Sequence, residues 1–165
     1  MALEIERKFL LANDGWRENV KDSFFLRQGY LNAEQRCSVR VRTSGPRAWL
    51  NIKGATVGAE RLEFEYEIPL ADANVLLDQL SLGPVIEKTR HLVEVGAHTW
   101  EIDVFEGENA GLVVAEIELE HADEPFEKPP WAGEEVTHDI RYYNTMLSRN
   151  PFRYWPENAS PCREE

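Results

Sequence analysis

Along the first dozen residues, polar and apolar side chains alternate with the period of a β-strand. Glu4, Glu6 and Lys8 share one face, while Leu3, Ile5, Phe9 and Leu11 share the other, with Arg7 the one intruder. The alternation returns down the chain in compact same-face sets. Ser38, Arg40 and Arg42 oppose Val39 and Val41, and Asn51 and Lys53 oppose Leu50 and Ile52. Glu63, Glu65 and Glu67 oppose Leu62, Phe64, Tyr66 and Ile68. Glu101, Asp103 and Phe105 oppose Trp100, Ile102 and Val104, and Glu116, Glu118 and Glu120 oppose Ala115, Ile117 and Leu119. Faces that simply met water would mix acids and bases within a strand. Here the signs segregate by strand, which places the strands around a shared polar interior.

The pattern predicts strands over 2–11, 23–32, 36–43, 48–54, 60–68, 85–95, 98–106 and 112–120, joined by turns such as Ser44-Gly45-Pro46-Arg47. Between the fifth and sixth the period changes. Asp72 is placed to cap a helix whose Val75, Leu76, Gln79 and Leu80 share a face and which ends at Gly83-Pro84. A second helix is expected over 139–149, aligning Ile140, Tyr143 and Leu147, after a Pro- and Trp-rich loop over 126–133. About eight antiparallel strands with one charged and one apolar face each have a natural solution. The fold class is α+β: a closed eight-stranded antiparallel β-barrel, or tunnel, with a charged interior and helices packed outside. One domain is expected over 1–150, with 151–165 a tail in which Phe152, Tyr154 and Trp155 are able to dock.

Composition narrows the setting. The chain has 165 residues, 42% of them hydrophobic, and a net charge of −12, a balance that argues against non-specific nucleic-acid binding. A small polyanion held in a locally basic cavity remains open to it. No apolar run approaches the ~20 residues of a membrane span, and no secretory h-region opens the sequence. Cys37 and Cys162 are too few for a disulfide framework, so reduced thiols and a cytoplasmic location are expected. His91, His98, His121 and His138 lack ligand spacing, Gly54, Gly58 and Gly83 are turn residues, and Asn158-Ala159-Ser160 matches a sequon only by chance.

A charge-lined interior is costly unless its charges are paired or hold ligands. Two divisions of labour are open. Direct ion pairing would make the interior structural. Alternatively, the row of Lys and Arg binds a polyphosphate, and the Glu-x-Glu pairs Glu4/Glu6 and Glu116/Glu118 converge on a hard cation such as Mg²⁺ or Mn²⁺.

Glu4-x-Glu6-x-Lys8 matches the ExExK signature of the CYTH, or triphosphate tunnel metalloenzyme, family. The match continues through Gln28-Gly29-Tyr30-Leu31, Arg40-Val41-Arg42, Ile52-Lys53-Gly54, Glu65-Tyr66-Glu67-Ile68, Glu87-Lys88-Thr89-Arg90, Asp103-Val104-Phe105 and Glu116-Ile117-Glu118. The later segments Pro129-Pro130-Trp131, Glu134-Glu135-Val136-Thr137 and Asp139-x-Arg141-Tyr142-x-Asn144 resemble the short bacterial members. The resemblance implies an eight-stranded tunnel and metal-dependent hydrolysis of a terminal phosphoryl group, with inorganic triphosphate as the expected substrate. By position it implies that Glu4, Glu6, Glu116 and Glu118 hold the metal, and that Arg40, Arg42, Lys53, Lys88 and Arg90 hold phosphate oxygens. Lys8 and Tyr30 would stand near the reacting phosphate, with Glu65, Glu67 and Asp103 orienting the bases, a second metal or a water. One departure is that relatives often carry Arg where this chain has Glu63, whereas Arg61 lies two residues earlier on the same face. The alternatives are a nucleoside or thiamine triphosphatase, an adenylate cyclase, or a non-catalytic polyphosphate-binding module. The expected partner is a small polyphosphate, with no nucleic acid and no membrane, and the chain's own state is left open between monomer and homodimer.

Overall fold

A computed structural model describes residues 3–34, 36–55 and 57–156. Strands β1 (Leu3–Leu11), β2 (Val20–Tyr30), β3 (Cys37–Ser44), β4 (Arg47–Gly54) and β5 (Glu60–Ile68) precede β6 (Leu82–Val95), β7 (His98–Phe105), β8 (Val113–Leu119) and β9 (Ala132–Glu135). They form one antiparallel sheet in the order β5-β4-β3-β2-β6-β7-β8-β1-β9. β5 also pairs back onto β1, so the first eight strands close into the expected barrel.

β1 is the seam. Its Leu3–Ile5 half pairs with β5, and its Phe9–Leu11 half pairs with β9. β9 falls in a stretch whose Pro-rich start predicts only loop. Arg7, the intruder on the apolar face, is explained by this extra strand: its guanidinium donates to Glu135 of β9 at 2.8 and 2.6 Å. The expected first residue of β1, Ala2, lies outside the described residues, as do Cys162 and the sequon at 158–160.

The outer coat differs from the helical layer expected. Among the described residues one long helical segment packs on the barrel wall, α1 (Leu70–Val75) running into a π-helical turn at Leu76–Leu80, beside a 3₁₀ turn at Gly15–Asn19 that buries Trp16. Asp72 sits in its first turn instead of capping it, and the buried side chains are Ala73 and Leu77. The expected face fails because Ala73 and Leu77, four residues apart, take the inward side: Leu76 packs only partly, and Val75 and Leu80 are exposed. Gly29 of β2 makes the close approach feasible, since a Cβ there would meet Ser81 Cβ at 2.9 Å. Around β1, β6, β7 and β8 the apolar faces are covered by short turns and loops, whose Trp16 and Trp131 share one buried cluster with Trp100, Phe9 and Ile117. The Trp100 and Trp131 rings meet edge to face at 5.3 Å.

The second expected helix is a broken plug. A 3₁₀ turn at Ile140–Tyr142 and a short α2 (Asn144–Leu147) replace the continuous run over 139–149, and Ile140 is exposed. This segment enters one end of the barrel. There the inward positions change from charged to apolar, and Tyr30, Ile86, Phe105, Leu112 and Val114 bury Tyr142, Leu147 and Trp155. Of the tail, Trp155 is buried against Tyr142, and the Phe152 amide donates to Asn109 at 2.8 Å. The tunnel is therefore a cup, with its charged half toward the open end. Among the described residues no helix is long and apolar enough to cross a membrane.

Candidate active site

Strand alternation aims the charged side chains into a cavity of about 190 Å³. Arg40 and Arg42 come from β3, Lys53 from β4 and Arg90 from β6. Glu4 and Glu6 from β1 face them with Glu101 from β7 and Glu116 and Glu118 from β8, while β5 adds Arg61, Glu63 and Glu65. The register makes this bank deliberate. Glu6 lies directly opposite Glu118, and Glu116 directly opposite Glu101. Like charges facing each other across a ladder destabilise a sheet. Nothing about folding calls for them.

The acids and bases reach across to one another. Lys53 Nζ lies 2.9 Å from Glu4, and Arg61 lies 3.7 Å from Glu4 and 3.5 Å from Glu6. Lys8 lies 3.4 Å from Glu116, and Arg90 pairs with Glu101 at 2.6 Å. Burial would raise the Glu4 carboxyl, but Lys53, a hydrogen bond with Glu6 and Arg61 outweigh it and hold it at about 2. Burial and then Arg40 push Lys53 down to about 8 against the pull of Glu4. Burial also depresses Lys8, yet Glu116 and Glu6 win and leave it raised.

Two cations are left over. Among the described residues Arg40 and Arg42 make no ion pair, and the buried Arg40 Nε has no hydrogen-bond partner. Among the described residues Arg42 donates only to the neutral Gln28 amide, at 3.0 Å. Burial, with Arg40 and Arg90 close by, brings Arg42 down to about 9, so it stays charged at neutral pH and repels its neighbours. A bound polyanion relieves this strain through charge-assisted hydrogen bonds.

A hard cation has a matching place. Burial raises the Glu118 carboxyl, and Glu4, Glu101 and Glu6 raise it further; Glu101 is raised as well, by burial despite Arg90. The cation-free side chains do not form a ready coordination group of three or more among the described residues, since Lys53 and Arg61 draw Glu4 and Glu6 toward themselves. The donor set nonetheless fits, being carboxylate oxygens crowded enough to repel one another.

Not every expected residue reaches the cavity. Lys88 and Asp103 lie beneath it, fully buried, with Lys88 Nζ 2.7 Å from Asp103. Asp103 also takes two hydrogen bonds from Arg90, at 2.8 and 2.9 Å. Burial dominates Lys88 and sets it at about 7, while Arg90 and Lys88 overcome burial at Asp103 and hold it far below the usual carboxylate range. Lys88 was expected to hold phosphate oxygens and is buried on Asp103 instead, whereas Asp103 sits as one of its expected roles has it, orienting the base Arg90. Glu67 lies on the outside, paired with Arg47 at 2.7 Å. The end of β5 is exposed from Phe64 to Glu67 and runs past the rim, so its last inward position no longer faces the cavity. Lys8 and Tyr30 line a smaller space of about 30 Å³ toward the plug, and Glu65 stands at the mouth, accepting from Asn51 at 2.8 Å.

Sequence reasoning named no role for Glu101 or Asn144. Glu101 was legible from its parity with Asp103. Asn144 had no period to reveal it, since it arrives on the plug, where it accepts from Gln28 at 3.0 Å and Lys88 at 3.2 Å.

With that geometry in place, comparison with known proteins is specific. A CYTH domain model matches residues 2–145. The inorganic triphosphatase of Acetivibrio thermocellus is 45% identical over 157 residues, covering 95% of this chain and 100% of that protein. The inorganic triphosphatase of Nitrosomonas europaea is 37% identical over 151 residues, covering 88% and 96%. The crystal structure of the inorganic triphosphatase NE1496 superposes with a TM-score of 0.63 at 34% identity, covering 90% of this chain and 95% of that one. A Pyrococcus horikoshii protein, PH1012, shares the fold at 18% identity, with a TM-score of 0.58 over 73% of this chain and 80% of its own.

Proposed function

The chain belongs to the CYTH family, and on that premise we propose that it is a divalent-metal-dependent triphosphatase that cleaves inorganic triphosphate to pyrophosphate and orthophosphate. The observation that carries this reading is the pair Arg40, buried, and Arg42, half-buried, which among the described residues have no carboxylate ion-pair partner and face a bank of like-charged acids across one cavity. A structural network would pair them. A site that receives a polyanion and a cation together keeps both excesses.

In this reading Arg40, Arg42, Lys53 and Arg90 hold phosphate oxygens, the arginines by their planar forks and Lys53 as a point charge. Glu4, Glu6, Glu116 and Glu118 hold the metal, with Mg²⁺ or Mn²⁺ the ions suited to all-oxygen donors. When bound, the metal supplies charge neutralisation at the terminal phosphoryl group. Lys88 and Asp103 act at one remove, by fixing the Arg90 guanidinium. Lys8 and Tyr30 border the deep end of the cavity, where the terminal phosphoryl group would lie. Glu65 braces Asn51 at the mouth.

Inorganic triphosphate is preferred over a nucleotide because among the described residues no aromatic side chain lines the cavity to take a base; the named curated relatives have the same specificity in their names. The test is a phosphate-release screen of tripolyphosphate, ATP, thiamine triphosphate and pyrophosphate, each with Mg²⁺, Mn²⁺ or EDTA. Tripolyphosphate should be turned over fastest, and only with metal. A higher kcat/KM for ATP, or cyclic AMP as the main product, would reassign the substrate.

A further inference from the structure

The plug closes the barrel unevenly. On the β6, β7 and β8 side it seals against apolar residues such as Phe105 and Val114. On the β3, β4 and β5 side it leaves a polar chamber of about 30 Å³ behind Glu6 and Arg61, lined also by Ser38, Tyr143 and Thr145. That volume holds about one or two water molecules, and the hydroxyl and charged lining offers each the two to four partners it needs. The chamber shares Glu6, Lys53, Arg61 and Asn144 with the charged cavity. It shares Ser38, Arg61, Tyr143 and Thr145 with an outer groove of about 370 Å³ that opens to solvent beside Met146 and Arg149. Arg61 borders all three spaces, and it is the long flexible side chain at their junction.

We propose that this chain of spaces is a back door through which the hydrolytic water reaches the terminal phosphoryl group and the proton of the reaction leaves, with Ser38 and Thr145 positioning the water and Arg61 dividing the door from the cavity. The inference rests on the triphosphatase reading. A triphosphate gripped by Arg40, Arg42 and Arg90 stands between the deep end of the cavity and the open mouth, so water arriving from the mouth has to pass the substrate. Water arriving through the chamber meets the deep phosphoryl group on the side away from the rest of the substrate, which is the side in-line attack needs. The water oxygen forms the new P–O bond. The bridging P–O bond breaks with its electron pair retained by pyrophosphate, so P₃O₁₀⁵⁻ and H₂O give P₂O₇⁴⁻, HPO₄²⁻ and H⁺.

The door is tested by filling it. Ser38→Leu and Thr145→Leu place apolar volume in the chamber, and Thr145→Val removes the hydroxyl at nearly constant volume should a larger side chain prevent folding. Phosphate release from tripolyphosphate gives kcat, and calorimetry in EDTA gives the Kd for tripolyphosphate. The expected result is a folded variant whose kcat falls by about tenfold or more, as misplacing a reactant by an ångström does, with Kd unchanged within about twofold. Thr145→Val should show a smaller fall of the same kind. A filled chamber with kcat unchanged would overturn the route, and so would a Kd that rises as kcat falls, which would make these residues part of the substrate grip. A wild-type protein inert toward tripolyphosphate with metal would instead bring down the triphosphatase reading, before any variant is compared.

Discussion

Replacing Asp103 tests whether the deepest charges hold the molecule together. The side chain is 1% exposed and accepts from Lys88 at 2.7 Å and from Arg90 at 2.8 and 2.9 Å. Asp103→Asn keeps the shape but leaves two cations without their main counter-charge. Removing one partner of a buried pair costs about 3–5 kcal/mol. Two features place this case at the low end. Lys88, already down at about 7 through burial, can shed its proton, and Arg90 keeps Glu101 at 2.6 Å. For a chain of this size each kcal/mol moves the melting midpoint by about 2–4 °C, so roughly 3 kcal/mol corresponds to a drop of about 6–12 °C. Circular dichroism melts of metal-free protein at pH 7 measure it. The paired change Lys88→Met with Asp103→Leu should recover part of the loss, because no buried charge is then orphaned there. An Asp103→Asn midpoint within about 2 °C of the wild type would refute the argument and make this network dispensable to the fold.

Arg42→Ala should weaken tripolyphosphate binding by about 10- to 100-fold, since a charge-assisted hydrogen bond contributes roughly 1.5–3 kcal/mol; calorimetry in EDTA reads it, and an unchanged Kd would remove Arg42 from the substrate grip. Glu6→Gln should keep the fold and the substrate affinity but lower metal-dependent turnover on the order of 10²-fold; full activity would sink the proposed metal site. On the acid side, Glu4 at about 2 and Asp103, held far down by Arg90 and Lys88, have folded values depressed from the unfolded ones, so their stabilisation is complete above the unfolded carboxylate range. It is lost as pH falls through the folded values. The melting midpoint of metal-free protein should therefore drop steeply from pH 4 toward pH 2, and a flat profile there would show that these pairs add nothing.

Much of this fold was written in its alternation, and the failures follow from what alternation omits. A period-two pattern reports which residues share a face, so Glu4, Arg40, Lys53, Arg90 and Glu116 were found together in one cavity. It does not report depth along the barrel. Glu67 keeps the inward parity of Glu63 and Glu65 yet ends outside, against Arg47. Lys88 keeps it too and ends beneath the cavity. The plug was illegible for another reason. Its helices are one turn or less, held by Tyr142, Leu147 and Trp155 burying against the barrel end, and tertiary burial of that kind leaves no 3.6-residue repeat to read.

The pairs inside the cavity explain how so many charges survive without substrate. Lys53 with Glu4, and Arg61 with Glu4 and Glu6, let the two excesses neutralise each other across the barrel. Their geometry is poor for structural pairs: two of the three contacts are 3.5 Å or longer, and Glu4 Oε2 accepts no hydrogen bond. A polyanion and a cation entering together would exchange each such pair for two better ones, acid with metal and base with phosphate. The desolvation of these side chains belongs to folding, so binding does not incur it again, and the dipoles and charges already point where new charge develops. This also explains why the braces lie deeper. Arg90 must hold its position through that exchange of partners, and Asp103, which no ligand replaces, is the group that keeps it there.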